Sequence, residues 1–130
     1  MPDIDSLTPG LGVDIATLPR LRKAVERWGN PILHRLFTED ELISMKGSAG
    51  WRWDSVAGHF AAKEAVKKIL ASHGRHAAWT EVEVLNGAHG EPVLRLHGQA
   101  LVAAESCGFR RFVLSISHEG ESAVAVVLAL

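Results

Sequence analysis

The chain of 130 residues is long enough for one domain with a hydrophobic core, and its 14 basic and 15 acidic side chains nearly balance. That balance argues against attraction of the whole molecule to nucleic acid or to a membrane surface. A single cysteine, Cys107, excludes an intrachain disulfide, and no apolar run approaches the ~20 residues of a membrane span. The first residues contain acids and lack the apolar core of a signal peptide, so we expect a cytoplasmic protein.

The N-terminal part of the chain predicts a short tail followed by a strand. Residues 1–9 are polar, and we expect a flexible extension before a single domain of residues 10–130. The segment Gly10-Leu-Gly-Val-Asp14-Ile predicts a buried strand over residues 12–15 with a carboxylate near its end. A buried lone aspartate needs a cation, several N–H donors or a metal ion, although a cap on the next helix or turn is the ordinary explanation of Asp14.

Two helices are predicted next. Residues 18–28 predict an amphipathic helix on which Arg20, Lys23 and Arg27 recur as a basic stripe. A solvated face explains this stripe about as well as a docking surface for an acidic partner. Gly29-Asn-Pro31 ends the helix, and the capping box from Thr38 to Glu41 opens another that runs to about residue 46. We expect residues 47–50 to form a loop.

A long central helix is predicted over residues 54–72. Its apolar positions form one face, composed of Ala62, Ala65, Val66, Ile69 and Leu70. Glu64 and Lys68 lie together on a flank, and a solvated pair of this kind contributes only ~0.2–0.5 kcal/mol to stability. The alanines beside the pair, Ala57 and Ala61, leave room for a ligand to approach the helix closely.

The remainder of the chain predicts two hairpins separated by a helix. Residues 81–85 pair with 93–96, residues 99–106 form the helix, and two strands flank the turn that begins at His118. The histidines of residues 73–76 resemble a metal pair, but a cluster at a helix end, favoured by the helix dipole, explains them better. The predicted fold class is α+β, with an antiparallel sheet packed against one long central helix.

Three segments, in this order and spacing, resemble the holo-acyl-carrier-protein synthases, the small 4′-phosphopantetheinyl transferases. They are Gly-Leu-Gly-Val-Asp-Ile at 10–15, Phe-Ala-Ala-Lys-Glu-Ala-Val-Lys-Lys at 60–68, and Ser-Ile-Ser-His at 115–118. The resemblance covers nearly the whole chain from Gly10. It implies Mg²⁺-dependent transfer of the 4′-phosphopantetheine arm of coenzyme A to a serine of an apo acyl carrier protein, which yields holo carrier and adenosine 3′,5′-bisphosphate.

The resemblance also implies roles for the charged residues of the first two segments. Asp14 and Glu64 match the family's metal-binding acids, and two carboxylates suit Mg²⁺, which also takes substrate phosphates and waters. Lys68 would place a positive charge on the diphosphate. Glu64, or a Mg²⁺-bound water that it polarises, would remove the proton of the attacking serine.

The coenzyme's nucleotide end is expected near the last hairpins. His118 matches the family histidine at this end, Ser117 would assist it, and the loop with Gly90 and Pro92 resembles the adenine-side turn. For that loop, a plain hairpin turn is at least as good an explanation. A lone histidine at a hairpin is usually structural or merely exposed.

Two residues of the central helix qualify this picture. His59 stands where most family members carry arginine, so a phosphate contact there would be weaker or would depend on pH near the histidine titration. Lys63 precedes Glu64 but points to another face of the helix, so a surface role is as plausible as phosphate contact.

The resemblance finally implies two partners, an acidic carrier and further copies of this chain. Arg20 and Arg27 stand where the family carries docking arginines. The family forms homotrimers with sites between subunits, with Asp14 from one chain and Glu64 from its neighbour. The apolar run 123–130 is consistent with burial on both faces in such a trimer, and it is equally consistent with the central strand of a monomer.

Two alternatives to the enzyme are a non-catalytic module that binds coenzyme A or the carrier, and a structural oligomerisation domain. Retention of both Asp14 and Glu64 favours the enzyme.

Overall fold

A computed structural model describes residues 10–130, so the predicted flexible extension of residues 1–9 lies outside the described part. The strands are β1 (Gly10–Thr17), β2 (Lys46–Gly47), β3 (Gly50–Trp51), β4 (Val82–Asn86), β5 (Pro92–Leu96), β6 (Phe112–Glu119) and β7 (Ser122–Ala129). The helices are α1 (Leu18–Trp28), α2 (Pro31–Leu36), α3 (Glu39–Met45), α4 (Trp53–Ser72) and α5 (Gly98–Ser106), and a 3₁₀ turn covers Trp79–Glu81.

The main sheet has three antiparallel strands in the order β1-β7-β6, which makes β1 and β6 its two edges. Three of the four inward residues of β7 are alanines, and Ala123, Ala125 and Ala129 are all buried, as is Val127. Gly12 of β1 approaches α4 so closely that an added Cβ would lie 2.3 Å from the carbonyl oxygen of Ala65. Small residues on the sheet therefore let the long helix pack directly against it, as the α+β prediction required.

The opposite face of this sheet is apolar and exposed. Leu11, Val13 and Ile15 of β1 are 70%, 54% and 65% exposed, and Val126 of β7 is 44% exposed. Strand register sets Val13 beside Val126, so these side chains form one continuous surface. Within residues 10–130 no element covers it, and we call it the outer sheet face.

Most of the predicted elements are confirmed, with two differences. The capping box is present, because Thr38 Oγ1 accepts from the Glu41 amide at 3.2 Å and the Thr38 amide donates to the Glu41 carboxylate at 2.9 Å. Pro31 does not simply end α1; it begins the short helix α2, where its fixed φ and missing N–H are tolerated. The predicted loop at 47–50 is shorter than expected, because its ends, Gly47 and Gly50, pair as parts of β2 and β3. None of the described helices is both long enough and apolar enough to cross a membrane.

Candidate active site

Two clefts lie on opposite flanks of α4. The first, the Glu64 cleft, has a volume of about 200 Å³, and its polar lining residues are Glu64, Lys67, Lys68, Arg75 and His76. The second, the His118 cleft, has a volume of about 320 Å³, and its lining includes Arg52, His59, Asn86, Gly90, Pro92 and His118. His59 and Glu64 are five residues apart, so at ~100° per residue they point ~140° apart around the helix axis. The predicted site residues of one chain are therefore divided between two places.

Asp14, on the neighbouring edge strand β1, contacts Lys68 of the Glu64 cleft. Lys68 Nζ lies 2.7 Å from Asp14 Oδ1 and 3.3 Å from the carbonyl oxygen of Val13. The Asp14 side chain is 14% exposed, whereas that of Lys68 is 56% exposed. The hydrogen bond to Asp14 raises the pKa of Lys68, which keeps the ammonium charged. Because Glu64 is one helical turn before Lys68, both predicted metal acids and the predicted cation belong to one neighbourhood of a single chain.

The donor set of this cleft suits a hard divalent cation. Within residues 10–130 no three histidine, cysteine or acidic side chains are grouped as metal ligands. Mg²⁺ does not need such a cage, because it keeps several waters and takes one or two carboxylates together with substrate phosphates. The carboxylates of Asp14 and Glu64 are of that type, and binding would require Asp14 to exchange its contact with Lys68.

The His118 cleft brings together three of the residues predicted to contact the coenzyme. His118 lies on the inner face of β6, against the helix, where a Cβ added to Gly58 would be 2.8 Å from His118 Nε2. Gly90 and Pro92 reach the same cleft from the turn that joins β4 to β5. The absence of a side chain at Gly58 is what gives the imidazole its space.

Ser117 does not line this cleft in the same chain. Successive side chains on a strand point to opposite faces, so His118 faces α4 while Ser117 is exposed on the outer sheet face beside Val124. The Ser117 side chain is therefore not placed to contact a ligand in the His118 cleft of the same chain. Its coenzyme role stays a prediction.

His59 is buried in the wall of the His118 cleft. Its Nδ1 lies 2.8 Å from the carbonyl oxygen of Ser55, so Nδ1 carries the proton, and Nε2 has no partner within residues 10–130. Burial lowers the pKa of His59, with Glu41 opposing this effect and Lys63 and Arg52 adding to it. His59 is therefore kept neutral, whereas the arginine expected from the family at this position would carry a positive charge.

Arg52 supplies the permanent positive charge of the His118 cleft. It lies immediately before α4, and its guanidinium donates to the carbonyl oxygen of Ser44. Arg52 was not among the residues predicted from the sequence, although a basic side chain directly before the N-terminus of the central helix was a usable signal for an anion-binding position.

The neutral state of His59 predicts a loss of stability in mild acid. The unfolded chain takes up a proton near pH 6.5, whereas the native chain does so only at lower pH, so the free energy of unfolding falls as pH drops below 6.5. We expect the decrease in melting temperature between pH 7.5 and 5.5 to be smaller in His59→Gln than in the wild type. The exposed His34→Gln is the control, and an unchanged decrease in His59→Gln would contradict the assignment.

Lys63 is a correction to the sequence analysis, because it has no surface role. Its ammonium lies 2.6 Å from Glu41 Oε1 and 2.7 Å from the carbonyl oxygen of Val82, and both charged side chains are fully buried. Burial lowers the pKa of Lys63, and Glu41 opposes that shift. Glu41 Oε2 also accepts from the Val84 amide at 3.0 Å, so the pair joins α3, α4 and β4.

The basic stripe of α1 is exposed as predicted. Arg20, Lys23 and Arg27 all face solvent, and the Arg27 guanidinium lies 4.9 Å from the centre of the Trp28 ring. None of the three lines the Glu64 cleft or the His118 cleft. Their role in docking a carrier remains a prediction.

Comparison with known proteins identifies the family. The family model of the 4′-phosphopantetheinyl transferase superfamily matches residues 10–126. A holo-acyl-carrier-protein synthase of Herpetosiphon aurantiacus is 40% identical over 126 residues, covering 92% of this chain and 96% of that protein. Another from Desulforudis audaxviator is 40% identical over 121 residues, covering 93% and 92%.

Solved structures agree. The complex of the Chronobacterium ammoniagenes synthase with coenzyme A superposes with a TM-score of 0.81 at 31% identity, covering 95% of this chain and 97% of that one. The Neisseria meningitidis synthase gives a TM-score of 0.78 at 30% identity, covering 93% and 97%. The chain belongs to the 4′-phosphopantetheinyl transferase superfamily and, within it, to the holo-acyl-carrier-protein synthases.

Proposed function

We propose that this protein transfers the 4′-phosphopantetheine arm of coenzyme A to a serine of an apo acyl carrier protein, a reaction of the cytoplasm. The observation that carries the proposal is the grouping of Asp14, Glu64 and Lys68 in one chain, because Lys68 lines the same cleft as Glu64 and forms an ion pair with Asp14. The two carboxylates suit a divalent metal ion, and the ammonium group suits the negative charge of a diphosphate. The coenzyme A complex of the related synthase from Chronobacterium ammoniagenes supports the choice of donor.

The transfer exchanges one phosphorus–oxygen bond for another. The serine oxygen attacks the phosphorus that carries the pantetheine arm, and the bond from this phosphorus to the adenosine 5′-phosphate breaks. Glu64 accepts the serine proton. Lys68 stabilises the charge that develops on the departing adenosine 3′,5′-bisphosphate. When Mg²⁺ is bound by Asp14 and Glu64, it neutralises further charge on the diphosphate.

The reaction is tested by its small-molecule product. Incubation with coenzyme A, Mg²⁺ and an apo acyl carrier protein should release adenosine 3′,5′-bisphosphate, measured by chromatography, in an amount equal to the carrier modified. A carrier with its acceptor serine replaced by alanine is the control and should release none. Equal release with both carriers would indicate hydrolysis of coenzyme A instead of transfer.

We also propose that complete sites form between copies of the chain in a cyclic homotrimer. The 3′-phosphate and the diphosphate of coenzyme A are attached to one ribose, whereas α4, which is about 10–12 Å across with its side chains, separates the two clefts that would receive them. A head-to-tail ring would bring the Glu64 cleft of one copy against the His118 cleft of the next. This division differs from the expected one, because Asp14 and Glu64 then come from the same chain.

The outer sheet face supports this assembly and provides its test. Val13→Asp adds a charge to this exposed apolar surface, and it should convert the trimer to monomers and lower transfer activity at least about ten-fold. Light scattering coupled to size-exclusion chromatography gives the mass. Val102→Asp, on an exposed part of α5, should leave both mass and activity unchanged. A monomeric, fully active wild type would contradict the assembly.

The basic stripe of α1 is proposed to dock the carrier. Replacement of both Arg20 and Arg27 by glutamate should raise the KM for the carrier at least about ten-fold at low salt and leave the KM for coenzyme A nearly unchanged. The reason is that surface charges of this kind steer the association of an oppositely charged protein partner. The same reversal at the exposed Arg110 and Arg111 is the matched control. Equal effects on both substrates would count against docking by this stripe.

A further inference from the structure

The segment that follows α4 turns back to form one wall of the Glu64 cleft. Gly74 has a positive φ of 71°, and the Arg75 amide donates to the carbonyl oxygen of Leu70 at 2.9 Å, which closes the helix end and reverses the chain. Lys67 Nζ donates to the carbonyl oxygen of Ala77 at 2.6 Å and lies 4.1 Å from the centre of the Trp79 ring. The wall is thus fixed to the flank of the helix that carries Glu64.

The basic side chains of this cleft differ in the contacts that they make within the protein. Lys67 holds the returning segment, and burial lowers its pKa. Lys68 is paired with Asp14. The Arg75 side chain is exposed and makes no hydrogen bond or ion pair within residues 10–130, yet it lines the same cleft as Glu64. It is therefore a permanently charged group at this cleft that no other described side chain engages.

We propose that Arg75 binds the diphosphate of coenzyme A and so selects and orients the phosphorus that reacts. The inference rests on the proposed function, which brings the diphosphate to Glu64 and Lys68. A guanidinium presents a planar fork of donors that matches two phosphate oxygens at once, and it stays charged at every working pH. The 3′-phosphate is not the partner, since the proposed assembly directs it to the His118 cleft of the neighbouring copy.

Measuring the affinity for two ligands distinguishes contact of Arg75 with the diphosphate from contact with the 3′-phosphate. Isothermal titration at fixed Mg²⁺ compares coenzyme A with 3′-dephospho-coenzyme A, which keeps the diphosphate and lacks the 3′-phosphate. Arg75→Gln should weaken both ligands by the same factor, about ten-fold or more, because a charge-assisted contact is lost in each. Arg75→Lys should recover part of the affinity, and Arg110→Gln, at an exposed site outside both clefts, should change neither.

Steady-state kinetics complete the test, with an unchanged carrier KM expected for Arg75→Gln. The inference would be overturned by a loss of affinity for coenzyme A alone, by a rise confined to the carrier KM, or by no change in any constant. These outcomes differ from failure of the proposed function, in which the wild type itself transfers no phosphopantetheine.

Discussion

Replacement of Glu64 by glutamine is expected to lower kcat for phosphopantetheine transfer by about 10²–10⁴-fold, the usual contribution of a general base. Glutamine keeps the size and shape of the side chain but cannot accept the serine proton. It also removes one of the two carboxylates available to Mg²⁺ in the Glu64 cleft. Initial rates with saturating carrier and coenzyme A measure the effect.

The fold should be untouched by this change. Glu64 lies at the surface of α4 and makes no hydrogen bond or ion pair within residues 10–130, so the melting temperature should stay within error of the wild type. Glu105→Gln, at an exposed position of α5, is the matched control and should be fully active. Rates like the wild type in Glu64→Gln would rule out its role as the base.

Replacement of Lys63 by methionine is expected to lower the free energy of unfolding by about 3–5 kcal/mol. Methionine fills a similar volume but leaves the Glu41 carboxylate buried without its counter-charge. The remaining amide donors, from Thr38 and Val84, satisfy the oxygens of Glu41 without neutralising it. Urea unfolding followed by circular dichroism measures the loss.

Two further variants identify the cause of that loss. Lys23→Met makes the same substitution at an exposed position and should change stability by less than about 0.5 kcal/mol. Adding Glu41→Gln to Lys63→Met removes the uncompensated charge and should recover part of the stability. If Lys63→Met proved as stable as Lys23→Met, the buried pair would contribute nothing, contrary to this account.

Local patterns were sufficient to predict most elements. The apolar face of α4 from Ala62 to Leu70 repeats at helical spacing, and the capping box at Thr38 has its signal within four residues. Both features depend only on neighbours in sequence. The run 123–130 was predicted to be buried on both faces or to be a central strand. β7 is the central strand of the main sheet, but the alternation that buries Ala125 and exposes Val126 appears only once β7 is paired.

The site itself depended on contacts between distant segments, and local patterns could not supply these. Lys63 was expected near the surface because nothing in α4 indicates that Glu41 and β4 pack over it. The pairing of Asp14 with Lys68 joins residues 54 positions apart and follows from the close approach of β1 to α4. Ser117 and His118 were grouped because they are adjacent, although the pleat of a strand separates them.

The most direct measurement is the intact mass of an apo acyl carrier protein after incubation with this protein and coenzyme A, with Mg²⁺ or with EDTA. We expect a gain of one phosphopantetheine group on the carrier serine in Mg²⁺ and none in EDTA. No gain in Mg²⁺, from folded protein that binds coenzyme A, would contradict the proposed function.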